Sequence, residues 1–207
     1  MTRNPAPLGE RVTVLVPPDI AYAAVADVTR MGQWSPEVRG ARVLGGPGPV
    51  RVGTRFVGLN RASWLPWATL CTVVSARPGS CFAFKVSFLG VALSQWTYRF
   101  REVPGGCEIT EEWLDLRSPV AGRLLTAVSP AVTGVLRRRE RNRATMRATL
   151  AALRGLWRGW LTRGGVGASG PGFRGWLRRE WGRPGRGSGR WLRRGCGGVR
   201  ARVQGRG

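Results

Sequence analysis

Glu111 is the side chain in this sequence best placed to move a proton, because its strand neighbours are aromatic. In the segment Ala92–Glu102, alternation puts Ser94, Trp96, Tyr98 and Phe100 on one face and Leu93, Gln95, Thr97 and Arg99 on the other. Across the turn Val103-Pro-Gly-Gly106, the register sets Ile109 near Phe100, Glu111 near Tyr98 and Trp113 near Trp96. Glu111 then points inward among rings, while Glu108 and Glu112 point to water. A slip of one residue reverses the assignment. A carboxyl in apolar surroundings resists ionisation and becomes a usable acid or base near neutral pH. Tyr98 or Arg139 would be its electrophilic partner. The sequence contains no histidine, which removes the commonest general base, the usual triads and most zinc sites. Neither a metal nor a cofactor is expected.

The same alternation supplies the rest of an inner surface. Phe56, Gly58 and Asn60 come from one strand, Thr69 and Cys71 from the next, and Phe82, Phe84 and Val86 from a third. On a long C-terminal helix, an inward stripe passes through Arg139 and Asn142. Asn60, Glu111, Arg139 and Asn142 are the polar groups of an otherwise apolar interior, a pattern suited to an amphipathic ligand. Trp34, Phe56, Asn60, Thr69, Phe82, Phe84, Trp96, Tyr98, Trp113, Arg139 and Asn142 are therefore the candidate ligand-binding residues, and Glu111 the candidate catalytic one. Plainer readings stand beside these. The inward aromatics are first of all core, Trp34 is first of all packing for a short helix, and Arg139 with Glu111 serves equally as a structural ion pair, since buried charges are normally paired. The arginines at 137–139 and 141 fit a solvated face as well as a phosphate site.

These residues depend on elements that the rest of the chain must build. The segments Arg51–Asn60, Trp67–Ala76, Cys81–Phe88, Ala92–Glu102 and Cys107–Leu116 read as strands separated by short turns, hence an antiparallel meander. A proline-punctuated helical region follows from Ser118, breaks near Ser129-Pro130 and runs to about Arg154. Val132, Val135, Met146, Leu150 and Leu153 recur there at helical spacing. At the front, a β-branched run ending at Val16 meets Pro17-Pro18, which closes a strand and opens a helix. That helix places Ile20, Ala24 and Val28 on one face, and a second turn delivers Trp34 just before Ser35-Pro36.

This strand–helix–Trp-Ser-Pro arrangement resembles the start of the SRPBCC superfamily, the START-like and polyketide cyclase/dehydrase-like helix-grip proteins. The resemblance extends from residue 10 to about residue 154. It implies an α+β helix-grip fold, in which a curved antiparallel sheet wraps around a long C-terminal helix and leaves a ligand cavity. It also implies either carriage of a small hydrophobic molecule or cofactor-independent cyclase/dehydratase chemistry.

The chain has 207 residues and a formal net charge of +23, divided between a domain at 1–155 (+11) and a tail at 156–207 (+12). Lys85 is the sole lysine among 34 basic residues, a bias that composition alone can impose, so the charge is discounted in part as a sign of an anionic partner. Cys71, Cys81, Cys107 and Cys196 show no C-x-x-C spacing. If residue 76 faces 81 across the turn Arg77-Pro-Gly-Ser80, Cys71 falls opposite Val86 and not Cys81. Scattered thiols and an N-terminus without an apolar core lead us to expect a cytoplasmic protein. The tail is Gly/Arg/Trp-rich, with a loose repeat about Trp160, Trp176 and Trp191, and is expected to be disordered. Its Trp-Leu-Arg-Arg units suit an anionic membrane surface, and nucleic acid less well, since no base-reading motif accompanies them. Compositional drift accounts for them more simply than either partner.

Overall fold

A computed structural model describes residues 6–46, 48–61, 66–117 and 138–162. The chain opens with strand β1 (Leu8–Val14), helix α1 (Pro18–Ala26) and a 3₁₀ turn (Val28–Gln33). Six strands follow: β2 (Val38–Val43), β3 (Arg55–Arg61), β4 (Pro66–Arg77), β5 (Cys81–Phe88), β6 (Val91–Val103) and β7 (Gly106–Asp115). Helix α2 (Arg138–Thr162) comes last. Pro18 occupies the first helical turn of α1, and the Pro17 carbonyl accepts the Ile20 and Ala21 amides at 3.1 Å. The two prolines thus end one element and begin the next.

All seven strands form one antiparallel sheet in the order β1-β7-β6-β5-β4-β3-β2. Short turns force the meander from β3 to β7, β2 pairs with β3 at one edge, and β1 closes the far side by pairing with β7. Gly106 makes that closure possible, because a Cβ there would run into the Val14 carbonyl oxygen. The β6–β7 register is the one alternation demands: Phe100 opposite Ile109, Tyr98 opposite Glu111, Trp96 opposite Trp113. Cys71 lies opposite Val86, as expected, although the turn itself pairs Arg77, not Ala76, with Cys81. A bulge between Val73 and Ser75 absorbs that difference of one residue. Cys71, Cys81 and Cys107 are buried free thiols.

With α2 against it, the sheet has the helix-grip architecture. Helix α1 covers one end of the inner face, where Tyr22 meets Phe82 and Phe100 edge-on at 6.2 and 5.7 Å. On α2 the buried stripe runs Asn142, Thr145, Met146, Thr149, Leu150, Leu153 and Trp157, and its apolar lower half joins the same core.

Three features differ from expectation. Strand β2 went unread because its Arg39, Gly40 and Arg42 dilute the pattern of an edge strand, and Gly40 sits at a register shift. The next strand consequently begins at Arg55, not Arg51. Helix α2 runs to Thr162, past the expected helix end near Arg154, and Trp157 on it is a core residue at 2% exposure. The helical region at 118–137, with Val132 and Val135, lies outside the described residues, as do Cys196 and the tail repeats about Trp176 and Trp191.

Candidate functional site

Between β3–β7 and the first turns of α2 lies an open cavity of about 240 Å³. Its walls are rings and methyls: Phe84 and Val86 from β5, Trp96 from β6, Trp113 from β7, Trp67 from β4. Alternation aims these residues inward, and one irregularity adds to them. Leu93 is skipped where Val86 pairs with Ser94 and Ser87 with Ala92, so Leu93 and Ser94 both reach the cavity. Polar atoms are few and mostly engaged. Asn60 donates through Nδ2 to the Gly58 carbonyl and to Thr69 Oγ1, both at 3.1 Å. Gly58 has no side chain to crowd that pair, and a Cβ there would stand 3.4 Å from Thr69 Oγ1.

Glu111 lies at the inner end, 2% exposed. Tyr98 donates its hydroxyl to Glu111 Oε1 at 2.8 Å, whereas Oε2 has no hydrogen-bond partner among the described residues. Burial pushes the carboxyl up to about 8, against a smaller opposing effect of the Tyr98 bond. At neutral pH the group is a carboxylic acid, and its proton belongs on the oxygen that Tyr98 leaves open. Burial and the adjacent carboxyl hold the Tyr98 phenol well above its ordinary value. Burial also pushes the Cys71 thiol on the cavity wall up to about 12, so it is not a ready nucleophile.

A charged cluster stands at the mouth. Glu37 follows directly on Trp34-Ser35-Pro36 and is nearly buried. Arg141 Nε donates to its Oε1 at 2.9 Å, Arg138 approaches its Oε2 at 3.5 Å, and Thr145 Oγ1 donates to Oε1 at 3.4 Å. Across from it, at the end of β7, Arg117 and Asp115 pair at 2.6 Å, which lowers the aspartate's proton affinity and raises the arginine's. The Arg138 guanidinium lies 5.8 Å above the Trp67 ring.

Residues 8–154 match the family described as polyketide cyclase / dehydrase and lipid transport. The chain belongs to this family. Its fold is shared by the polyketide-cyclase-like protein Cgl2372 of Corynebacterium glutamicum, 26% identical, with TM-score 0.52 over 76% of this chain and 94% of that one. Protein CV1439 of Chromobacterium violaceum is 17% identical, with TM-score 0.54 over 74% of this chain and 98% of the other. The di-domain ARO/CYC StfQ of the steffimycin biosynthetic pathway gives TM-score 0.57 at 16% identity, over 77% of this chain and 52% of that one. No curated protein matches the chain.

In this member of the SRPBCC superfamily, Asn60, Thr69, Phe84, Trp96, Tyr98, Glu111 and Trp113 line one cavity from the strand faces, and Asn142 lines it from α2. Four expected residues do not. Phe56 and Phe82 share the inner face but lie in the solid core, Phe56 edge-on to Phe84 at 5.3 Å and Phe82 under Tyr22. Trp34 is likewise core, at 2% exposure. Arg139 is exposed and donates to the Ala6 carbonyl at 3.1 Å, so it makes no pair with Glu111. The reason is helical phase: four residues before Asn142 is Arg138, which does line the cavity. Sequence reasoning missed Glu37, Arg117 and Thr145, and took Arg138 only as part of a run of arginines fitting a solvated face or a phosphate site. Arg138 and Arg141 at i, i+3 were a visible signal, but their partner is about a hundred residues away in the chain. Among the described residues, no helix is long and apolar enough to cross a membrane, and no three cysteine or carboxylate side chains gather as a metal site.

Proposed function

We propose that this protein reversibly binds a small hydrophobic or amphipathic molecule between its sheet and its C-terminal helix. The observation that carries this reading is the aromatic-walled cavity of about 240 Å³, open at one end. A dry apolar cavity of roughly 150 Å³ takes up benzene, so this volume suits an apolar body of about two fused rings. The family's description, which includes lipid transport, supports the same role. Native mass spectrometry of the full chain purified from cells, with extraction of whatever it carries, tests it. A discrete lipid or aromatic metabolite is the expected result. A chain that arrives empty and takes up neither naphthalene derivatives nor fatty acids in calorimetry would refute it.

A second reading, cyclase/dehydratase chemistry, is favoured by one observation: Glu111 Oε2, buried on the cavity wall without a partner. A carboxylic acid that ionises near pH 8 can protonate a departing hydroxyl and later recover the proton. Glu111→Gln retains the shape and the acceptor for Tyr98 but has no acidic proton. If this reading holds, the variant folds and loses turnover; unchanged turnover removes Glu111 as the acid. Simple carriage predicts no turnover in either form.

A further inference from the structure

The end of the sheet where the cavity opens is edged with apolar side chains that face water. Strand β5 ends at Phe88 and β6 begins at Val91, and these two pair, so Leu89 and Gly90 alone make the turn. Phe88 lines the cavity and is also exposed, as is Val91 beside it. Leu89 at the tip is 87% exposed. Leu59 stands in water at the same end, between Gly58 and Asn60, which both line the cavity. These are four of the seven large hydrophobic side chains exposed among the described residues, so the exposed apolar surface is gathered at the mouth and not scattered.

Leu89 is also out of place in its turn. Its φ is +48° and that of Gly90 is +80°, and among the described residues Leu89 is the one non-glycine residue with a positive φ. A two-residue hairpin turn with both φ values positive favours Asn-Gly, because a bulky side chain crowds the left-handed backbone. Leucine here strains the turn and gains no burial in return. A run of exposed apolar residues that serves neither turn nor core marks a contact surface.

We propose that this rim docks on an anionic lipid bilayer, with Leu89 inserted at the surface and the cavity mouth turned toward the membrane. Three observations favour a bilayer over a protein partner. The apolar tip is a two-residue turn with its flanking side chains, whereas a stable protein interface takes about 800 Å² from each partner. Phe88 belongs both to the tip and to the cavity wall, so apolar surface leads from one into the other. The net charge of +23 draws the whole molecule to a negatively charged surface. Docking goes beyond the binding reading, since it depends on the rim and not on what the cavity holds.

Flotation of the full chain with vesicles of phosphatidylcholine and phosphatidylglycerol, at about 0.15 M salt, tests the proposal. Leu89→Asn is the decisive variant, because Asn-Gly suits the turn: it should melt no lower than the unaltered chain. Its affinity for the vesicles should nevertheless fall at least about tenfold. Leu44→Asn makes the same exchange at an exposed leucine just past β2, at the opposite end of the sheet. That variant should change the affinity by less than about twofold. Undiminished affinity in Leu89→Asn overturns the proposal and assigns the attraction to the tail or to net charge. Equal losses in the two variants overturn it as well, because the mouth then has no special part. A chain that does not float with the vesicles overturns it outright, and self-association that Leu89→Asn abolishes would make the tip a protein contact instead. A marked drop in melting temperature for Leu89→Asn would show that Leu89 packs on the protein, which also overturns it. Cargo is read separately by mass spectrometry, so docking and binding can each fail while the other stands.

Discussion

The inner face of the sheet carries inward rings at both ends, yet one end is solid and the other hollow. Strands β5, β6 and β7 each contribute to both: Phe82, Phe100 and Ile109 to the first, Phe84, Trp96 and Trp113 to the second. What differs is the cover. Over the solid end, α1 brings Tyr22 down between Phe82 and Phe100 and closes the space. Over the hollow end, α2 offers Asn142 and Thr145, short polar side chains that leave the rings facing one another across a gap. The same helix fills its own lower half with Leu150, Leu153 and Trp157. A cavity is thus produced by withholding volume from one stretch of a helix, with no change in the strand pattern beneath it.

This contrast is broken most directly by truncating one ring from each end. Phe82→Ala opens a cavity in close-packed core and should cost about 3–5 kcal/mol in urea unfolding. Trp96→Ala removes a half-buried wall that already lacks neighbours on one side, and about 1–2 kcal/mol is expected. Equal losses would mean that the hollow end is as well packed as the solid one.

The next effect belongs to the hollow end alone. Glu111 goes from 4.5 in an unfolded chain to about 8 in the fold, so between those values the folded state holds the extra proton. A pKa raised by folding gives a contribution that is fully present below the unfolded value and lost as pH rises through the folded one. From Glu111, stability should therefore fall by about 1.4 kcal/mol per pH unit between pH 4.5 and about 8, then level off. Glu111→Gln should flatten that slope in thermal melts followed from pH 5 to 8. A wild-type profile already flat over this range would place the carboxyl in water, away from the rings.

How much of this was legible in the sequence follows from the range of the forces involved. Alternation and short turns are local, so the meander, the Tyr98–Glu111 pairing and most of the cavity wall could be read from residues alone. The edge strand β2 was hidden because arginine and glycine interrupt its apolar pattern and its pairing is irregular at Gly40. Phe56 and Phe82 face inward as expected, but alternation assigns a face and cannot say how far along that face α1 reaches. Arg139 was misplaced by one helical position, about 100° of rotation, which carries a side chain from the cavity to solvent. Glu37 was invisible because it is defined by partners on α2, and no local pattern records a contact over that separation.

Filling the hollow end should reverse its character at little cost. Val86→Phe adds a ring where space already exists, so stability should change by no more than about 1 kcal/mol, while a naphthalene derivative should bind at least about tenfold more weakly. Retained affinity would put the ligand elsewhere on the protein.

The smallest expected effect sharpens the boundary of the site at its mouth. Arg138 and Arg139 are adjacent, equally charged and subject to the same field of the whole molecule, but only Arg138 lines the cavity. Arg139→Ala gives up one bond to the Ala6 carbonyl at the surface, so stability should shift by less than about 0.5 kcal/mol. Its titration with a naphthalene derivative should overlay that of the unaltered chain. If the affinity falls, the ligand reaches past the cavity to the outer side of α2. If it holds, a step of one residue along α2 separates a cavity-lining side chain from a solvent-facing one, and the phase of the helix sets the edge of the site.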